Sequence, residues 1–194
     1  FSKRIHEDFI AKEYTLFESN DLKEFFSTTS FSGINVTIPY KYDVIPYLDE
    51  LSPEANDLQS VNTIIKSSGK LKGYNTDYYG LEKALHYNNI SVLNKDVIIL
   101  GNGSTSRTIQ LYCKRNLAKK ITVLARNPRE NEYHFNSVDN FKSASIIFNA
   151  TPVGMFPCNE DPPLISLDNL PHLVSVVDVV YNPLSSSLIM DAKS

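Results

Sequence analysis

A chain of 194 residues is long enough for one large or two small domains, and 42 % hydrophobic residues suffice for a buried core. A net charge of −3, with Lys and Arg spread along the chain, gives no basis for nucleic-acid binding. Cys113 and Cys158 are too few and too isolated for a disulfide framework or a metal site, and no apolar run approaches the roughly 20 residues of a membrane span. A reducing, cytoplasmic setting is expected, with neither nucleic acid nor membrane as partner.

The predicted elements begin with a helix over 3–12 capped by Ser2, a strand over 14–18 and a short helix over 21–27. A strand over 34–38 then runs into a helix over 39–48 opened by Pro39, since proline suits the first helical position. This junction sets Thr37 and Lys41 one helical turn apart, a small hydrogen-bonding group beside a mobile cation. Ser52 and Pro53 mark a further helix start. The runs 61–66 and 70–74 flank Ser67-Ser68-Gly69 and predict a hairpin. A helix over 77–88 follows.

A second pattern starts at Lys95. Val97-Ile98-Ile99-Leu100 is an apolar run ended by Gly101, as in a strand buried on both faces of a parallel sheet. A helix over 105–116 and strands over 120–125, 146–149 and 174–181 complete a βαβ rhythm. The expected fold is α/β with two domains: an N-terminal, mostly parallel α/β substrate domain over 1–78 and a Rossmann-like nucleotide-binding domain over 79–194. The boundary lies near 75–93. The chain opens at Phe1 without Met or an opening strand and stops after a helix-like stretch, so both ends are expected to belong to a longer protein.

The segment Gly101-Asn102-Gly103-Ser104-Thr105-Ser106-Arg107 follows a strand and opens a helix, the context a dinucleotide fingerprint requires. Gly101 permits the tight turn, Gly103 the close approach of backbone to a pyrophosphate, and the helix N-terminus offers free N–H groups. The third glycine of the common pattern is absent, and Ser104, Thr105 and Ser106 offer hydroxyls instead. At the end of the next strand an NAD-binding protein carries an acid for the ribose. Here Leu124-Ala125-Arg126-Asn127 offers a guanidinium, which favours NADP over NAD.

Several separated motifs then resemble the shikimate dehydrogenase family in its own order. They are Gly33-x-Asn35-Val36-Thr37-Ile38-Pro39-Tyr40-Lys41, Ser60-Val61-Asn62-Thr63, Gly73-Tyr74-Asn75-Thr76-Asp77 with Gly80, Asn149-Ala150-Thr151-Pro152-Val153-Gly154-Met155, and Asp178-Val179-Val180-Tyr181-Asn182-Pro183. The resemblance implies reversible, NADP-dependent reduction of 3-dehydroshikimate to shikimate, a step of aromatic amino-acid biosynthesis, in a cleft between two domains. It implies Lys41 and Asp77 as the catalytic pair, with Ser2, Thr37, Asn62 and Tyr181 on the substrate. It places Asn149, Thr151 and Met155 on the nicotinamide side, in a monomer or homodimer. The ammonium of Lys41 suits charge on a ketone oxygen during reduction, as acid–base catalyst or as an electrostatic and positioning group. His6 keeps its place in the pattern and reads as structural.

The departures are specific. Lys3 replaces a proline, Ser104 the third loop glycine, Ala125 and Asn127 two residues of Asn-Arg-Thr, and Ser185-Ser186 a Glu-Thr pair. The opening strand of the substrate domain and a C-terminal segment with a substrate-contacting glutamine are missing from the pattern. Two alternatives stand beside the leading reading: a quinate/shikimate dehydrogenase using NAD, and a catalytically silent module that binds nucleotide or shikimate-like acids.

Overall fold

The computed structural model describes residues 21–37 and 39–194. The expected helix over 3–12 and strand over 14–18, with Ser2 and His6, lie outside the described residues, as does Ile38. The first described element is α1 (Leu22–Thr28), capped by the Asp21 carboxylate, which accepts from the Glu24 N–H at 3.0 Å. Four short strands follow: β1 (Gly33–Asn35), β2 (Glu50–Leu51), β3 (Thr63–Ser67) and β4 (Lys70–Tyr74). They form a sheet in the order β1-β3-β4-β2. β3 runs antiparallel to both β1 and β4, and β2 runs parallel to β4. Among the described residues this sheet is therefore mixed, where a mostly parallel one was expected.

The hairpin between β3 and β4 turns on Ser68 and Gly69, with φ of +52° and +78°. Two successive positive φ values make the two-residue turn whose twist matches the flanking strands. Between β2 and β3 stands α2 (Pro53–Leu58), with Pro53 in its first turn and the Ser52 Oγ accepting from the Ala55 N–H. Val36, Val44, Ala55, Val61 and Ile64 form the core of this unit.

The helix expected over 39–48 does not form. Residues 39–44 are a chain of turns, and Ile45–Tyr47 is one turn of 3-10 helix. Pro46 is the physical reason. It has no N–H to donate, its ring collides with the carbonyl four residues back, and it disfavours helical backbone at Ile45. Most of the bonds become i to i−3, as from the Tyr40 N–H to the Thr37 carbonyl at 2.9 Å and from Ile45 N–H to the Tyr42 carbonyl at 3.1 Å, with a single i to i−4 bond from the Val44 N–H to the Tyr40 carbonyl at 3.2 Å. Lys41 thus sits on an irregular loop tied down at its own carbonyl, which accepts from the Val61 N–H at 2.8 Å.

α3 (Thr76–Tyr87) leads into the second sheet. Its strands are β5 (Asp96–Leu100), β6 (Lys120–Ala125), β7 (Tyr133–His134), β8 (Ile146–Asn149) and β9 (Ser175–Asp178), with α4 (Ser104–Arg115) between β5 and β6 and α5 (Ser187–Asp191) after β9. All pairings are parallel, in the order β7-β6-β5-β8-β9. The strand expected over 174–181 ends at Asp178, where the chain leaves the sheet.

Alternation along the strands splits the core between two faces. Val97, Ile99, Val123, Ile146 and Phe148 pack with Tyr78, Leu85, Ile109, Tyr112 and Cys113 under α3 and α4. Ile98, Leu100, Leu124 and Ile147 face the other way, onto Phe135, Val138 and Phe141 of the 3-10 segment Phe135–Phe141 and onto Ile165, Leu170 and Leu188. Apolar side chains on both faces are what a parallel sheet covered on both sides demands. Cys113 and Cys158 are free, and burial pushes the Cys113 thiol up to about 12, out of reactive range.

The two sheets are tied by Arg115, the last residue of α4. Its Nη1 lies 3.0 Å from Glu54 Oε1 and its Nη2 2.7 Å from Asp57 Oδ2, both on α2. The guanidinium also lies 5.4 Å from the centre of the Tyr78 ring on α3. Burial pushes the Glu54 carboxyl up, but hydrogen bonds from the Tyr79 hydroxyl and a backbone N–H, together with Arg115, outweigh it and hold the carboxyl below the usual range.

One backbone position limits the first unit. A Cβ added at Gly73 would stand 2.6 Å from Leu48 Cδ1, 2.9 Å from Val61 Cγ2 and 3.0 Å from Leu51 Cδ2. Gly73→Ala is expected to destabilise the protein by about 1–3 kcal/mol through overpacking, read as a lowered denaturant midpoint with an unchanged slope.

Candidate functional site

The site of the first unit grows from the end of β3. Asn62 donates its backbone N–H to the Tyr74 carbonyl at 3.0 Å and accepts from the Val36 N–H at 2.8 Å, so Thr37 lies one residue beyond a fixed point. Its side chain is held as firmly. Asn62 Oδ1 accepts from the Thr76 N–H at 2.9 Å and from the hydroxyls of Thr76 and Thr63 at 3.1 Å each. Because a backbone N–H can only donate, the oxygen of the carboxamide must face Thr76. Its Nδ2 has no protein partner among the described residues and is left as an available donor.

Asn75 caps α3. Its Oδ1 accepts from the Tyr78 N–H at 3.3 Å and its Nδ2 donates to the Ser60 carbonyl at 3.0 Å. The cap fixes the first turn of α3, and with it Asp77. Lys41 Nζ then lies 3.0 Å from Asp77 Oδ2, across 36 residues of sequence. The Lys41 side chain is 21 % exposed and that of Asp77 49 %. An accessible pair of this kind contributes only about 0–1 kcal/mol to stability. Its consequence is positional: an ammonium held at one place beside an available amide donor. Thr37, Lys41, Asn62 and Asp77 are therefore brought together through hydrogen-bonded neighbours.

The second half of the site lies where the strand order reverses, at the carboxyl ends of β5 and β8, the place ligands take in open α/β sheets. Gly101 has φ of +97°, and a Cβ there would meet Thr151 Cγ2 at 2.8 Å. Both facts require glycine. Gly103 has nothing within 4 Å of such a Cβ, so the loop is open on that side. It is the N-cap of the 12-residue α4 and makes no side-chain cap bond, which leaves first-turn N–H groups for an anion.

The loop residues divide in a way their types did not predict. Ser104 and Thr105 are partly exposed. Ser106 is fully buried, and its Oγ accepts from the Gln110 side chain at 3.3 Å. The expectation that its hydroxyl reaches a phosphate is thus corrected, because helical periodicity turns this position onto the core. The Asn102 amide is also committed to the protein, donating to the Asn127 carbonyl at 3.0 Å and to Glu132 Oε2 at 2.7 Å. Arg129 closes the same cluster, Nη1 to the Asn102 carbonyl at 3.2 Å. Arg126 is exposed at the end of β6, with no hydrogen bond or ion pair among the described residues.

At the end of β8, Asn149 Oδ1 accepts from Thr151 N–H at 3.1 Å and Oγ1 at 2.7 Å, while its Nδ2 donates to Asp178 Oδ1 at 3.0 Å. Asp178 also accepts from the Val180 N–H and the Ser186 hydroxyl. This carboxylate organises the loops after β8 and β9. The motif Asp178-x-x-Tyr181-Asn182-Pro183 pointed at the segment but not at this role. Met155 is 41 % and Tyr181 80 % exposed, and no hydrogen bond joins Tyr181 to Thr37, Lys41, Asn62 or Asp77. Ser2 lies outside the described residues.

A parallel sheet with a glycine loop at its point of reversal, beside a smaller mixed sheet with a Lys–Asp pair, defines a two-domain α/β protein with a Rossmann-like unit. Residues 2–64 match the family described as the shikimate dehydrogenase substrate binding domain. A curated relative from Clostridium beijerinckii, a shikimate dehydrogenase (NADP(+)), is 36 % identical over 183 residues, covering 88 % of this chain and 67 % of the relative. One from Methanococcus maripaludis, with the same name, is 34 % identical over 180 residues, covering 84 % of this chain and 64 % of the relative. The crystal structure of shikimate 5-dehydrogenase from Thermus thermophilus, in complex with NADP(H) and shikimate, is similar with a TM-score of 0.70 at 28 % identity, covering 88 % of this chain and 66 % of that one. The chain belongs to the shikimate dehydrogenase family. It spans about two thirds of the length of these relatives.

The two loop glycines are expected to behave differently. Gly101→Ala forces a side chain into left-handed backbone and should cost about 1–3 kcal/mol. Gly103→Ala, with open space around it, should cost less than about 1 kcal/mol. Thermal melts of the two variants beside the parent protein make the comparison, and equal losses would contradict it.

Proposed function

We propose that the protein is an NADP-dependent shikimate dehydrogenase that reversibly reduces 3-dehydroshikimate to shikimate in the biosynthesis of aromatic amino acids, in the cytoplasm. Residues 1–78 form its substrate-binding catalytic domain and residues 79–194 its nucleotide-binding domain, in a monomer or homodimer. No helix among the described residues is long and apolar enough to cross a membrane. The observation that carries the reading is the 3.0 Å contact between Lys41 Nζ and Asp77 Oδ2, made by residues from separate family motifs.

The residues present fit the dinucleotide. The first-turn N–H groups of α4, open at Gly103, take the pyrophosphate, aided by the hydroxyls of Ser104 and Thr105. Gly101 makes the turn that brings them there, and Asn102 holds that turn against the loop after β6. Arg126, without a partner among the described residues, would hold the 2′-phosphate, since a guanidinium suits a phosphate better than lysine does. Asn149, Thr151 and Met155 border the nicotinamide side. When bound, NADPH supplies the hydride for the ketone.

On the substrate side, the ammonium of Lys41 stands against the carbonyl oxygen of 3-dehydroshikimate, stabilises the charge that gathers there and delivers a proton to it. Asp77 keeps the ammonium in place. The available Nδ2 of Asn62 donates to a substrate hydroxyl, its direction fixed by the three donors on Oδ1. Thr37 and Ser2 contribute hydroxyls, and Tyr181 borders the same substrate from the other half.

The test is turnover. The full-length protein should oxidise shikimate with NADP in preference to NAD. Lys41→Ala should lower kcat by roughly a hundredfold or more while substrate still binds. Unchanged turnover in that variant would reject the role of Lys41, and a preference for NAD would reject that of Arg126.

A further inference from the structure

α4 has its two ends at different places. Its N-terminus carries the open first turn after Gly103, and its last residue, Arg115, grips elements of the first unit. At about 1.5 Å per residue, the two ends are roughly 18 Å apart. Arg115 reaches Glu54 Oε1 at 3.0 Å and Asp57 Oδ2 at 2.7 Å, a forked contact with two carboxylates that lysine cannot reproduce. Glu54 is only 9 % exposed, and its other oxygen accepts from the Tyr79 hydroxyl at 2.6 Å. The guanidinium also covers the Tyr78 ring. Tyr78 and Tyr79 directly follow Asp77 in the first turn of α3. The turn that carries Asp77 is therefore held at its start by Asn75 and Asn62, and just beyond Asp77 by Tyr78 and Tyr79 against the Glu54–Arg115 pair.

We infer that Arg115 is a positioning residue for the reaction: with Glu54 and Asp57 it locks the first turn of α3 against α2 and α4, and so sets where Asp77 stands relative to Lys41. This rests on the functional reading above, in which that pair faces the substrate. The sequence spacing excludes a local role, since Arg115 is 61 residues from Glu54 and 58 from Asp57. A surface ion pair would be incidental. This one contains a carboxylate that is nearly buried and triply engaged, so removing its cation leaves a charge that must move or find water.

The test uses Arg115→Met and Asp57→Asn in the full-length protein. Arg115→Met is expected to lower kcat for shikimate by about tenfold or more, as a misplaced catalytic group does, while the dissociation constant of NADPH, read by its fluorescence, stays within about twofold. Asp57→Asn removes the more exposed partner without burying a charge, and should lower kcat in the same direction by a smaller factor. Hydrogen exchange of the peptide over 75–79 gives a readout that needs no turnover. Faster exchange there, with residues 101–106 unchanged, supports the inference. Wild-type kcat in Arg115→Met overturns it, as does NADPH affinity falling in step with kcat. Should Arg115→Met not fold, Asp57→Asn decides, and unchanged kcat and exchange in that variant overturn the inference. A parent protein that does not turn over shikimate overturns the functional reading alone, because the exchange experiment still decides whether Arg115 holds the turn.

Discussion

The carboxamide of Asn62 is the joint on which the first half of the site depends. Its oxygen faces the Thr76 N–H, its backbone joins β1 to β4, and the neighbouring Val61 N–H holds the carbonyl of Lys41. A buried amide with so many fixed partners has one orientation, since flipping it would set two donors against each other. From that follow the direction of its remaining donor, the entry angle of α3 and the approach of Lys41 to Asp77. The ion pair itself is accessible to water and adds little to stability. Its geometry is imposed by the amide network beneath it.

The second half is built on a different constraint. Parallel strands buried on both faces deliver their loops to one edge, and the reversal of strand order between β5 and β8 leaves a crevice there. The loop conformations at that edge are each secured by a polar side chain turned back onto backbone. Asn102 ties the glycine loop to the loop after β6, and Asp178 ties the loops after β8 and β9. Polar residues that a sequence pattern assigns to a ligand are in part the scaffolding of the loops that meet it. Ser106, buried against Gln110, is the extreme case.

Between these halves, α3 belongs to both. Its cap and Asp77 face the first unit, while Tyr78 and Leu85 pack into the core of the second. The fork of Arg115 joins α4 to α2, while its guanidinium over the Tyr78 ring and the Tyr79 hydroxyl on Glu54 tie this shared helix to both. A candidate site assembled from two sheets needs such a tie, because neither sheet alone defines the distance between the Lys41–Asp77 pair and the glycine loop at Gly101.

Much of this protein was legible in its sequence because local rules and motifs act over short spacings. Gly101 and Gly103 after an apolar run, the Ser68-Gly69 turn and the helix start at Ser52 could be read from neighbours, and Lys41, Asn62 and Asp77 stand in motifs that resemble the family's; the cap of α3 falls on Asn75, where a start at Asp77 is expected. The helix expected over 39–48 rests on the start signal of Pro39, and the break at Pro46 overrides it. β2 and β7, of two residues each, carry no periodicity to read. Only the tertiary structure decided which oxygen of the Asn62 network faces what, that Asn102 braces rather than faces outward, that Ser106 is buried, and that Arg115 meets Glu54 and Asp57. Those facts depend on contacts between residues far apart in the chain, whose energies arise from packing and desolvation after the elements meet. No local pattern of residue types encodes them.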